Sequence, residues 1–278
     1  MSQHRLSKKR RRIGMALAGV GVLAGAAFAA EAATATTVTR PAPTVFTGHA
    51  FDTCTAPTLT TMKKWRATSV YRAAAVYIGG KNRGCAQPQL TPSWVKSVTT
   101  GGWKLIPLYV GAQPPCQTSN NPEKMTAANA TALGATDGAD AVAKASALGM
   151  KTGSPVYLDM EYYDPANTSC VNAVLAYIRS WDKTVHAKGY WTGFYGFSNS
   201  SAAVVAKAKT RTDLPEILWY ARYDDVYSTT TGYPYDKTLW TGHRRGHQYA
   251  VNKKVTHDGA TLTIDRDAWD APVAVVAK

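Results

Sequence analysis

Zinc-finger spacing is missing from this sequence: its four cysteines include no C-x-x-C pair, which removes the commonest structural metal frame. No Gly-rich phosphate loop follows the first strand pattern, so the usual dinucleotide cradle is excluded. No internal repeat is visible, which argues against solenoids and propellers. After residue 33 no apolar stretch is long enough to cross a bilayer. Acids are also scarce. The 278 residues carry 18 Asp and Glu against 32 Lys and Arg, a net charge of +14.

What is present begins with an export signal. Lys8 to Arg12 form a positive cluster, Ile13 to about Ala30 is apolar, and Ala30-Glu31-Ala32 offers small residues where a signal peptidase reads. Residues 1–33 are therefore expected to be a signal peptide, by the Sec or, through Arg10-Arg11-Arg12-Ile13, the twin-arginine route. Residues 34–45 read as a flexible Thr/Ala/Pro linker and 46–275 as one domain. Six of the basic residues and one acid precede Thr34, so the remainder carries about +9. An exported basic protein suits anionic partners such as wall polymers. The cations after residue 34 are scattered, which argues against nucleic acid. Four cysteines in an exported chain imply disulfides.

Short apolar runs bounded by Gly, Pro or Asp alternate with helical patterns. Strands are expected at 47–52, 74–78, 105–110, 155–159, 190–194, 217–221, 246–250 and 262–265. All eight are read as buried and parallel. Val171, Val174, Leu175, Ile178, Trp181 and Val185 form one apolar stripe of a helix that ends at Gly189. Ala139–Leu148 and Ala202–Ala208 are weaker helices, and 224–238 reads as a loop. The pattern predicts an α/β fold, a single-domain TIM-like (β/α)₈ barrel irregular in its last third.

On such a barrel, Asp159 and Glu161 leave the same side of the fourth strand at its C-terminal end. Two adjacent carboxylates resist double ionisation, so one keeps a proton, as glycoside cleavage requires of its acid. Asp52, Asp265 and Asp267 reach other strand ends. Aromatic residues gather there too: Tyr162, Tyr163, Tyr195, Phe197, Trp219, Tyr220, Tyr223 and Tyr249. Such rings stack on sugar faces.

Six segments in order carry a family resemblance: Phe51-Asp52-Thr53-Cys54, Val156 to Glu161, Gly193-Phe194-Tyr195, Trp219 to Tyr223, His247-Gln248-Tyr249 and Ile264-Asp265. Together they resemble the strand-end set of family 25 glycoside hydrolase lysozymes. They are more similar still to the Rv2525c-like, glycoside-hydrolase-like domain of exported actinobacterial proteins. Tyr157 stands where chitinase-type barrels carry a middle Asp, against that relation. The resemblance implies catalytic Glu161 as proton donor, Asp159 orienting the substrate's acetamido group and Asp52 in support. By the same resemblance Asp265 is a supporting acid; with it, Gln248 and the strand-end rings of Tyr195, Trp219, Tyr223 and Tyr163 are the expected substrate-binding residues, and no cofactor or metal is expected.

The expected partner is an N-acetylated cell-wall polysaccharide, bound by a monomer that is secreted or wall-associated. Membrane contact is expected only if the leading segment stays uncleaved. The alternative is a glycan-binding barrel without turnover. A metal-dependent hydrolase on Asp52, Asp159 and Asp265 is the least favoured reading. In the barrel, each cysteine follows one of the first four strands, and adjacent loops bridge most easily. Cys54–Cys85 with Cys116–Cys170 is therefore the preferred pairing of three.

Overall fold

The computed structural model describes residues 39–277, so the expected signal segment and the start of the linker lie outside the described residues. Eight strands close into a barrel in chain order. They are β1 (Thr44–Asp52), β2 (Ala73–Gly79), β3 (Lys104–Val110), β4 (Pro155–Met160), β5 (Trp191–Phe197), β6 (Ile217–Ala221), β7 (Arg245–His257) and β8 (Ala260–Val273). Five helices among the described residues follow β1 to β5 in turn: α1 (Leu59–Thr68), α2 (Pro92–Thr100), α3 (Ala130–Ala147), α4 (Thr168–Ala187) and α5 (Ser201–Lys207). None is long and apolar enough to cross a membrane.

The architecture is an irregular TIM-like barrel, and its last third departs from the (β/α)₈ plan. Residues 222–244 link β6 to β7 without a helix. β7 and β8 then form one antiparallel hairpin, turned by Asp258 and Gly259, both at positive φ (47° and 70°). β8 runs antiparallel to β1 as well, from Thr44 opposite Val273 to Asp52 opposite Asp265. The expected strand at 246–250 does run parallel to β6 but extends to 13 residues, whereas the one at 262–265 is corrected to an antiparallel strand of 14 residues. The reason lies in residues 251–264. They alternate exposed with partly buried side chains, the period of a ribbon with one face in water, not of a parallel strand covered on both sides.

Local chemistry sets the helix ends. Asn167 caps α4 by accepting from the Cys170 N–H (3.1 Å), and Gly189 at φ 78° follows its last turn. Trp181, Ile178 and Val174 of the expected stripe are buried against the barrel. The chain is held below β1 before the barrel begins. Arg40 makes a bidentate pair with Glu216 (2.5 and 2.8 Å), and Trp191 Nε1 donates to the Pro41 carbonyl. The segment read as a linker to residue 45 therefore already makes specific contacts at residue 40.

Side-chain parity separates two cores. Tyr157, Trp219 and Trp269 fill the barrel interior edge to face, at centroid separations of 5.3 to 6.3 Å. Gly193 and Gly246 make room for them: a Cβ at either would fall within 2.5 Å of the Tyr157 or Trp269 ring. The outer core lies between the strands and the helices. Disulfides Cys54–Cys85 and Cys116–Cys170 tie successive crossings together. Cys170 sits in the first turn of α4, not in a loop. Loops of this size gain about 3–4 kcal/mol from each link.

Candidate active site

Because β8 enters from the opposite direction, Asp265 and Asp267 sit at its entry into the barrel and still meet Asp52 at the rim where β1 ends. β4 brings Asp159 to the same rim, beside Val110 of β3 and Tyr195 of β5. Glu161 follows immediately and is exposed. Its backbone N–H donates to Gln113 Oε1 (3.0 Å), while Gln113 Nε2 donates to the Asp159 carbonyl (3.0 Å). One buried glutamine thus fixes the peptide that carries both acids.

Asp159 is 5% exposed, and its Oδ1 has no hydrogen-bond partner. Burial, then the Glu161 charge, then Asp52 hold its carboxyl well above the usual range. Of the two acids, Asp159 is the one whose surroundings favour the protonated form.

Across the rim the acids form a bonded network. Gln248 accepts from the Tyr195 hydroxyl (2.8 Å), which turns its Nε2 toward Asp52 (2.8 Å) and Asp265 (3.4 Å). Tyr77 donates to Asp52 (3.3 Å), and the Asn252 N–H, at positive φ in the bulge of β7, donates to Asp265 (2.7 Å). Burial and then the neighbouring Asp265 push Asp52 up to about 7. Asp267 lies beneath. Burial and then the neighbouring Asp52 raise it well above the usual range; Trp219 Nε1 donates to its Oδ1 (2.8 Å), while its buried Oδ2 has no hydrogen-bond partner.

Two substrate-binding expectations are corrected. Trp219 is 0% exposed, filling the barrel interior and bonded to Asp267, so it offers no face to a sugar. Tyr163 is buried in the outer core, with its backbone held by Ser200. In both cases an aromatic near a strand end satisfied packing before recognition. Tyr195 and Gln248 face the rim as bonded supports. Tyr223 is 48% exposed, and Phe197 links it edge to face with Tyr162, 51% exposed, giving an open aromatic side beyond Glu161. Tyr77 and Gln113 are functional-site residues that the motifs did not indicate. The inward parity of Ala73, Ala75 and Tyr77 was the available signal for the first.

His243 and His247, four apart in sequence, do not converge on a metal. His243 bonds Asp270 at the surface, while both nitrogens of buried His247 face the carbonyls of Ser228 and Arg222 (2.7 and 2.8 Å). Among the described residues no group of three His, Cys, Asp or Glu side chains is arranged as metal ligands. Hollows also lie elsewhere. One of about 460 Å³ opens at the far end of the barrel by Thr44 and Lys104, and one of about 420 Å³ lies between α1 and α2.

The model of the family described as Rv2525c-like, glycoside hydrolase-like domain matches residues 63–269. No curated protein matches the chain. Among solved structures, an uncharacterized B. stearothermophilus protein is similar over 80% of this chain and 95% of its own, with 17% identity and a TM-score of 0.54. The Mycobacterium tuberculosis Tat-secreted protein Rv2525c, in complex with L-tartrate, is similar over 84% and 97%, with 17% identity and a TM-score of 0.53. The modular autolysin LytC from Streptococcus pneumoniae gives 14% identity and a TM-score of 0.49 over 80% of this chain and 46% of that one.

Proposed function

The chain belongs to the Rv2525c-like, glycoside hydrolase-like domain family, and from that premise we propose that it is an exported glycosidase of N-acetylated wall glycan. One observation carries the reading: a buried carboxyl with an unpartnered Oδ1, Asp159, stands beside an exposed carboxyl, Glu161, and burial with the Glu161 charge holds the Asp159 carboxyl well above the usual range. Export is supported by the two disulfides and by the Tat secretion of the mycobacterial relative.

The chemistry follows from that pair sharing one proton. A 2-acetamido N–H donated to Asp159 Oδ1 favours the carboxylate form of Asp159, and the shared proton then resides on Glu161. Glu161 delivers it to the glycosidic oxygen. As the glycosidic C–O bond breaks, Asp159 offsets the positive charge that develops on the sugar and its amide. Water then adds to the anomeric carbon and gives its proton to the Glu161 carboxylate, which restores the acid. Gln113 keeps the two acids in register. Asp52, Asp265 and Gln248 form the opposite wall, and Tyr223 with Tyr162 offers ring faces to the neighbouring sugar.

Glu161→Gln is the direct test on purified peptidoglycan. Release of reducing ends is expected to fall by about 10²–10⁴-fold while binding to the glycan persists. Wild-type protein that binds peptidoglycan and releases no reducing ends would instead identify a glycan-binding barrel without turnover.

A further inference from the structure

Seventy consecutive residues, Thr53 to Pro122, contain neither Asp nor Glu, yet they include Lys63, Lys64, Arg66, Arg72, Lys81, Arg83, Lys96 and Lys104. In sequence these cations look scattered. Folding gathers them, because the stretch builds one continuous sector of the barrel: α1, β2, α2 and β3. Acids from outside the stretch reach only part of it. Asp258 of the β7–β8 turn approaches Lys64 (3.9 Å), and Glu123 pairs with Lys81. No acidic side chain among the described residues pairs with Lys63, Arg66, Arg72, Lys96 or Lys104.

Two of these unpaired cations line the groove of about 420 Å³ between α1 and α2. Its floor is Met62, Val98 and Trp103, its edge is Leu59, and its charged lining is Lys63 and Arg66. Arg66 extends over Gly102, and its buried Nε has no acceptor in the protein. Arg66 also lies near enough to Arg72 to help burial lower that guanidinium below its ordinary value. Arg72 Nη1 donates to the Ser69 and Tyr71 carbonyls (2.7 and 2.6 Å), and no carboxylate among the described residues pairs with either arginine, so the Arg66 Nε is the donor left open to an anion. Lys104 begins beside Arg72, its N–H donating to the Arg72 carbonyl (2.9 Å), and Lys96 is exposed on α2.

We infer that the α1–α2 sector is a docking face for a polyanionic, phosphodiester-linked wall polymer, separate from the acidic mouth. Charge complementarity argues for a polymer, because one flexible chain with repeating phosphates can reach every unpaired cation in turn. A recess with an apolar floor admits such a thread and its linking carbons, whereas a flat bilayer cannot enter it. The face leaves the acidic mouth free, so a tethered barrel would still present Glu161 to glycan.

The test is binding of the full chain to poly(glycerol phosphate) across a salt series. Lys63→Ala/Lys96→Ala/Lys104→Ala changes three exposed side chains and keeps Arg66 in place; Lys151→Ala/Lys183→Ala/Lys237→Ala removes equal charge elsewhere. The first triple is expected to weaken binding at least tenfold with a shallower salt dependence, and the second less than threefold. Arg66→Gln alone is expected to weaken binding with an unchanged melting temperature. Equal losses in the two triples would show unspecific attraction by net charge and overturn the assignment. Equal or tighter binding to phosphatidylglycerol vesicles, or to a single-stranded DNA oligomer, would overturn it in favour of those partners.

Discussion

The strands that carry helices and the ribbon that carries none supply different parts of one rim. β1 to β6 run parallel, and among them β4 carries the buried Asp159, with the exposed Glu161 just past its end. β7 and β8 are a hairpin, and they contribute Gln248, Asp265 and Asp267, tied to one another, to Asp52 and to Trp219. The parallel side presents a group free to act. The antiparallel side presents groups already engaged, whose business is position and charge. Acids at one rim thus differ in kind according to how many partners their strand brings along.

Substitution on the two sides should separate these roles most sharply in turnover. Glu161→Gln is expected to lower peptidoglycan hydrolysis by about 10²–10⁴-fold, the range for loss of a positioned acid. Asp265→Asn is expected to cost about tenfold or less, the worth of one supporting bond. Equal losses would erase the distinction. Stability should divide the aromatics in the same way. Trp219→Ala empties the barrel interior and should cost about 3–5 kcal/mol by denaturant unfolding, whereas Tyr223→Ala should leave stability nearly unchanged and weaken glycan binding.

The bonded acids also predict a pH dependence. Asp52, Asp159 and Asp267 all titrate higher in the folded protein than in an open chain. From the ordinary 3.8 up to about 7, the folded form therefore binds more protons than the unfolded one. Stability is highest at the acid end of that window and falls as pH rises, by at most about 1.4 kcal/mol per pH unit for each such group. Melting temperatures measured across it should fall less steeply for Asp52→Asn than for wild type, and parallel slopes would show that Asp52 titrates normally. The smallest effect concerns the ribbon alone. Gly259→Ala places a Cβ at φ 70° in the hairpin turn and should cost about 1 kcal/mol without touching turnover.

The parallel half was legible because its strands are short, apolar on both faces and punctuated, and because the α4 stripe is unbroken. α1 and α2 left fainter marks, the caps Thr58 and Thr91 with Pro92 behind the second. The ribbon was misread because Tyr249–Ala250 and Leu262–Ile264 look like separate buried runs. The Asp258-Gly259 pair between two alternating stretches was the signal that joins them. Convergence of Asp52, Asp159 and Asp265 was visible as strand-end chemistry. Burial was not: β6 is apolar throughout, and only closure of the barrel decides that Trp219 points inward while Tyr220 points out. Gln113 lies in a loop whose path no local pattern dictates.

The pairing of Thr44 with Val273 has a use of its own. A last strand that runs back down the barrel returns the polypeptide beside its point of entry with no closing helix. A short peptide bridge between those two positions should therefore allow the chain to be reopened within residues 222–244, giving a circular permutant with the same arrangement of strands.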